Sequence, residues 1–251
     1  MDFLAEPGDG ITLLLRGWAR AAFTIMTTTT HLLSEERLPN SAEAATAEAA
    51  RCVVAMAASL GGLNALSVIL GGLPEDFPAA ITIVMHLSPD HESLLAGILA
   101  CRTGLRVKQA ETGDKLCSGC VFVAPPNHHM AVRPGGLVEL SSAMAEKVHF
   151  ARPSAEPLFY SVAEVYRERA IAVVLTGGDG DGSLGVRVIK EHGGTVIAQD
   201  RLTSKDFSMP ETSIETGEVD FILPLEEIAG KLVELVGTCA ASGGLHGKDA
   251  A

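Results

Sequence analysis

Clustered basic residues are missing from this chain. Lys and Arg number 19 against 31 Asp and Glu, a formal charge of −12 over 251 residues. Phosphate backbones are held by grouped Lys and Arg, so nucleic acid is a poor candidate partner. Also missing is any apolar run of the ~20 residues that span a bilayer, so no membrane insertion is expected. Cysteines number only five, at positions 52, 101, 117, 120 and 239. An odd count so widely scattered argues against a disulfide framework. Nor does the N-terminal stretch read as a secretory signal. The first ten residues hold three acids and no Lys or Arg, and Arg16 and Arg20 interrupt the apolar stretch. The expected location is the cytoplasm. Aromatics are scarce at 4%.

Glycine is plentiful, with 26 residues, and 47% of the chain is hydrophobic against 20% charged. That balance suits a globular domain with a sizeable core and many tight strand-to-helix turns. Residues 1–49 differ from the rest: four threonines run from Thr27 to Thr30, and Ala and Glu alternate from Ser41 to Ala50. The segment reads as a loosely ordered arm. Residues 50–238 read as one domain, and 239–251 as a flexible tail.

Within the domain, short apolar runs read as buried strands: Cys52–Met56, Ile81–Met85, Val121–Val123, Ile171–Leu175, Thr195–Ala198 and Phe221–Leu223. Helices are expected at Leu63–Leu70, Glu92–Leu99, Ser154–Arg169, Ser183–Glu191 and Leu225–Val236. Ser88-Pro89-Asp90 offers start signals for the second and Ser154 a cap for the third. Met130–Val132 and Leu137–Leu140 flank Pro134-Gly135-Gly136 as a small β-hairpin, and Thr203–Pro210 reads as a loop. Strands alternating with helices predict an α/β fold. Its sheet is doubly wound and mostly parallel, with helices on both faces in a three-layer, Rossmann-like arrangement.

Open parallel sheets keep their sites beyond the carboxyl ends of the strands. The first strand delivers Ala57-Ala58-Ser59-Leu60-Gly61-Gly62 there, the second delivers His86, and the strand at 171–175 delivers Thr176-Gly177-Gly178-Asp179-Gly180-Asp181-Gly182. A hydroxyl, an imidazole and a carboxylate at one sheet edge are the components of nucleophilic acyl transfer. Small neighbours let the chain bend at Ser59 and let a carbonyl approach, and the following helix aims N–H groups at a developing oxyanion. The same turn also suits a phosphate cradle or a capping serine, and Asp179 and Asp181 suit an ordinary turn.

These residues carry a family resemblance. The Ser59 turn, Met85-His86-Leu87-Ser88-Pro89, Arg152-Pro153-Ser154, Leu175–Gly182 and Met209-Pro210 resemble, in order, the catalytic domain of the chemotaxis protein-glutamate methylesterases, the CheB type. The similarity runs from about Arg51 to Val236. The stretches His86–Leu94 and Gly182–Gln199 are closer to members associated with methyltransferase partners. The resemblance implies a Ser–His–Asp esterase without a cofactor. Its substrates are glutamate γ-methyl esters on the cytoplasmic helices of methyl-accepting chemoreceptors; it releases methanol, and many members also deamidate receptor glutamines. The family's nucleophile falls on Ser59, its histidine on His86 and its aspartate on Asp181; Asp179 does not match that position. Leu60, Gly61, Gly178 and Met209 fall on the oxyanion and pocket positions. Leu60 replaces a common Thr and keeps the main-chain N–H; Gly178 replaces a frequent Met. Only 50 residues precede the first strand, too few for the receiver domain of ~120 residues that most such enzymes carry. Control by a receiver of its own is therefore not expected.

Other signals are weaker. Cys117-Ser118-Gly119-Cys120 with His128 and His129 holds fragments of a zinc pattern at the wrong spacing, so no metal is expected. Asp179-Gly180-Asp181 opens like a calcium loop but has Leu184 and Lys190 where Gly and Glu belong. His91, His149 and His192 read as solvated or capping residues. Nucleotide binding lacks the Lys of a P-loop and any Gly-x-Gly-x-x-Gly. The main alternative is a catalytically weak or inactive signalling module that docks to a receptor or to a methyltransferase.

Overall fold

The computed structural model describes residues 49–86, 93–148 and 151–242. The arm at 1–49 lies, but for Ala49, outside them, as do Ser88-Pro89-Asp90, His91 and His149. In chain order the elements are β1 (Cys52–Ala58), α1 (Gly62–Gly71), β2 (Ala79–Met85), α2 (Leu95–Ala100), β3 (Arg106–Gln109), β4 (Cys120–Val123), β5 (Met130–Arg133), β6 (Leu137–Leu140), α3 (Ala155–Tyr166), β7 (Ala170–Val174), α4 (Ser183–Glu191), β8 (Thr195–Gln199), α5 (Ser208–Glu215), β9 (Phe221–Leu223) and α6 (Leu225–Ser242).

Seven strands form one sheet in the order β3-β4-β2-β1-β7-β8-β9, every pair parallel. Strands β5 and β6 form a separate antiparallel hairpin. The expected fold class is the observed one.

Why the central strands are apolar throughout follows from the two cores. Along β1, Val53, Ala55 and Ala57 enter one hydrophobic cluster, with Leu158, Phe159, Val162 and Ala163 of α3. Cys52, Val54, Met56 and Ala58 enter the other, with Leu66, Ile69 and Leu70 of α1 and Ile228 and Leu232 of α6. Strand β7 divides the same way, Ala170, Ala172 and Val174 against Ile171 and Val173. Side chains alternate across a strand, so a doubly covered strand has no polar face. Each fully buried Val, Leu or Ile contributes roughly 1.5–3 kcal/mol.

Some elements differ from expectation. The edge strand β3 and helix α5 went unforeseen. Helix α2 starts at Leu95 rather than Glu92, and α6 continues past Val236 to Ser242. The argument against disulfides is overturned: Cys52 is bonded to Cys239, and Cys117 to Cys120. The first pair, 187 residues apart, meets because α6 packs back on the sheet face that β1 presents. The second closes a turn in which Gly119 takes φ 72° and the Cys120 N–H donates to Cys117 O. Cys101 is an exposed free thiol.

Chain direction sets the site. From β1 the chain steps to β2 and out to the edge at β3, moves back one place to β4, and then crosses to β7 on the other side of β1. The carboxyl ends of β1 and β7 therefore flank a topological switch point, where open sheets form their crevices.

Candidate active site

Ser59 leaves the end of β1 at this switch point. Its N–H donates to Thr176 O at 2.9 Å, which fastens the turn to the end of β7. The Gly62 N–H closes the turn on Ser59 O at 2.8 Å. Gly61 is at φ 87°, and a Cβ there would lie 2.8 Å from Lys205 Cβ, so both conformation and space require glycine. Thr176 ties the turn further, its hydroxyl donating to Leu60 O at 2.8 Å.

His86 stands beside Ser59 by strand register. Ala58 pairs with Met85 across β1 and β2, and the His86 N–H donates to Ala58 O at 3.1 Å. One step further along both strands puts positions 59 and 86 on adjacent chains, about 5 Å apart at the backbone.

Asp181 comes from the loop between β7 and α4 and is fully buried. Its Oδ1 accepts from the Ser154 hydroxyl at 2.6 Å, and its Oδ2 from the Ala155 N–H at 2.6 Å and His86 Nε2 at 2.8 Å. The first two donors sit at the start of α3, where helix N–H groups favour an anion. A buried carboxylate with three donors is fully accounted for.

A second carboxylate touches the ring. Asp179 Oδ2 lies 3.2 Å from His86 Nδ1, and the Asp179 side chain is 40% exposed against 14% for His86. Both ring nitrogens thus face carboxylate oxygens. Among the described residues, neither nitrogen is hydrogen-bonded to Ser59 Oγ. Burial opposes a charged ring, but the hydrogen bonds and fields of Asp179 and Asp181 outweigh it and raise the His86 pKa from 6.5 to about 9. A neutral imidazole has one N–H only, so two acid partners fit the doubly protonated ring.

Ser59 and His86 open onto a cleft of about 1020 Å³, whose other walls include Leu60, Gly61, Ile98, Arg102 and Lys205. Leu60 and Gly61 thus line the cleft. Gly178 and Met209 do not: Gly178 faces Asp206, and Met209 is buried behind Gly177. The reason is crowding, since a Cβ on Gly177 would fall 2.0 Å from Met209 Sδ and 2.9 Å from Ser59 Cβ. Met209 backs the loop that touches Ser59. Beside it, Asp206 is held below the usual carboxylate range by the Ser208 hydroxyl and N–H.

Three further residues support this arrangement. Ser154 was seen as a helix cap, which it is, accepting from the Glu156 N–H at 3.3 Å, but the same oxygen also donates to Asp181. Glu156 caps another helix than its own: its Oε1 accepts from the Gly182 and Leu184 N–H groups at 3.1 and 3.0 Å, at the start of α4. Asp179 lies two positions before the residue that matches the family's aspartate, and its carboxylate reaches the same ring. Two acids spaced i, i+2 in a glycine loop were the available signal.

The zinc-like fragments are used otherwise. Cys117 and Cys120 are joined to each other, and His129 bonds the Ser154 N–H and Glu146 O. The His192 Nδ1–H donates to Val188 O at 2.9 Å at the end of α4.

A family model described as CheB methylesterase matches residues 54–232. A protein-glutamate methylesterase/protein-glutamine glutaminase of Anaeromyxobacter dehalogenans is 45% identical over 77% of this chain and 56% of its own. A putative enzyme of the same name from Leptospira interrogans is 38% identical over 72% of this chain and 93% of its own. The crystal structure of the Thermotoga maritima CheB methylesterase catalytic domain superposes with a TM-score of 0.70 and 37% identity, covering 73% of this chain and 98% of that one. The chain spans about half the length of several relatives, 56% of the Anaeromyxobacter protein and 54% of one from Pyrococcus horikoshii.

Proposed function

The chain belongs to the CheB methylesterase family, and from that premise we propose that it hydrolyses glutamate γ-methyl esters on the cytoplasmic helices of methyl-accepting chemoreceptors. The setting is adaptation in chemotaxis-type signalling in the cytoplasm. No helix among the described residues is long and apolar enough to cross a membrane. The observation that carries the reading is the buried contact of Asp181 with His86 Nε2 at 2.8 Å, beside Ser59 at adjoining strand ends.

In the proposed cycle Ser59 Oγ attacks the ester carbonyl and its proton passes to His86. Asp181 holds Nε2, so Nδ1 is the nitrogen that takes it. Main-chain N–H groups at Leu60 and the start of α1 stabilise the oxyanion; one such donor is worth roughly 3 kcal/mol. The C–O bond to methoxide breaks, His86 returns the proton, and methanol leaves. Water then attacks the acyl-enzyme by the same route, freeing the glutamate and Ser59. A receptor glutamine would follow the same steps and release ammonia, in keeping with the glutaminase in the relatives' names.

Leu60 in the oxyanion turn keeps a second reading in view, a docking module of little turnover that binds a receptor or a receptor methyltransferase. One experiment separates the two: methanol release from methyl-labelled receptor by the wild-type chain and by Ser59→Ala. The proposal expects release by the first and loss of at least about 10³-fold in the second, with unchanged circular dichroism. Equal activity in both would refute it.

A further inference from the structure

The loop that supplies Asp181 supplies a second acid to the same ring, and the activity proposed above does not use it. We propose that Asp179 is a positioning residue that competes with Ser59 for His86 Nδ1 and latches the ring in an idle orientation.

The geometry carries this. Asp181 is buried and pinned by Ser154 and Ala155, so its hold on Nε2 is fixed. Asp179 is 40% exposed and flanked by Gly178 and Gly180, so its hold on Nδ1 is the one that can yield. Nδ1 is also the only ring nitrogen left for Ser59. While it donates to Asp179 it cannot accept the serine proton. The contact needs a proton on Nδ1 in addition to the one facing Asp181, so it favours the imidazolium and is weakened when the ring becomes neutral.

Other charges face this centre. Lys205 and Arg102 line the same cleft. Asp206, on the segment before α5, approaches Gly178 and adds negative field near Asp179. Glu156, at the start of α3, spends its carboxylate on the N–H groups of α4. The turn after β1 brings no charged side chain between Ser59 and Gly62. Among the described residues, Asp179 and Asp181 are the charged groups that reach the ring, and burial is the opposing influence.

The consequence for rate rests on the esterase reading; the ring contact itself does not. The full chain, labelled in its histidine rings and with His86 assigned through His86→Gln, would be titrated by NMR as wild type, Asp179→Asn and Asp179→Ala. The Asn variant keeps an acceptor for the Asp181 N–H, a bond Asp179 Oδ1 makes at 3.2 Å, so local distortion is separated from loss of charge. The latch predicts that the His86 midpoint falls by about one unit or more in both variants. It also predicts that the acidic limb of hydrolysis moves down equally, giving about tenfold more activity at neutral pH. Labelling of Ser59 by a fluorophosphonate should accelerate likewise without any receptor present. An unmoved midpoint in both variants overturns the proposal, and so does a lowered midpoint with slower labelling at every pH. A lowered midpoint and faster labelling with no methanol release by any form supports the latch and refutes the esterase reading instead.

Discussion

The Ser154 hydroxyl reaches from the first turn of α3 to within 2.6 Å of Asp181 Oδ1. A helix cap and an acid 27 residues away in sequence are thereby one structural unit. Ser154→Ala removes a donor from a buried carboxylate and a cap from α3. The expected cost is about 1–3 kcal/mol, or several degrees in Tm for a domain of this size. Receptor ester hydrolysis should fall with it, because Asp181 loses the contact that fixes its rotamer. Thermal melts beside methanol assays check both.

Asp181→Asn should be worse for rate than for fold. An amide has one acceptor oxygen, and with its NH₂ group in the place of Oδ2 it would meet the Ala155 N–H and present a donor to His86 Nε2. The His86 tautomer is then misassigned, and a loss on the order of 10⁴-fold in kcat is expected. Steady-state kinetics with methylated receptor measures it. A harmless Asp181→Asn would shift the role of triad acid elsewhere in the loop.

Gly177→Ala tests the crowding behind the serine turn. Its Cβ would meet Met209 Sδ at 2.0 Å and Ser59 Cβ at 2.9 Å. Overpacking of this kind costs about 1–3 kcal/mol, and the serine must move. Pairing it with Met209→Ala should recover part of the lost stability, a coupling read from denaturant unfolding of the four forms of the cycle.

Stability should also depend on pH through His86. Its folded pKa, about 9, lies above the unfolded 6.5. A raised pKa means the stabilisation is fully present below 6.5 and is lost as pH climbs through about 9. The contribution is at most about 3 kcal/mol. Subtracting the urea stability of His86→Gln from that of wild type, across this window, isolates the group from tyrosines and lysines. A difference that grows with rising pH would contradict the sign.

Much of the frame was readable from the chain because β1, β2 and β7 are apolar on both faces. What escaped has physical reasons. Strand β3 reads Arg-Val-Lys-Gln because it is an edge strand with exposed positions. Helix α5 hides behind Pro210, which reads as a breaker yet sits in the first turn, where its missing N–H costs nothing. Ser59, His86 and the loop holding Asp179 and Asp181 stand out in the sequence because each follows a legible strand, and the choice of Asp181 over Asp179 rests on the family resemblance. Asp179, Ser154 and Glu156 act through contacts that close only in three dimensions, as does the bond from Cys52 to Cys239.

The alanines on one face of β1 and β7 have an effect beyond filling space. Ala55, Ala57 and Ala172 leave room for α3 to settle low on the sheet, and the depth of that seat governs whether the helix's leading edge meets the aspartate. A bulkier residue beneath the helix would leave a folded domain with a displaced acid. Substitutions far from the cleft can therefore silence it while every reacting group is still in the chain.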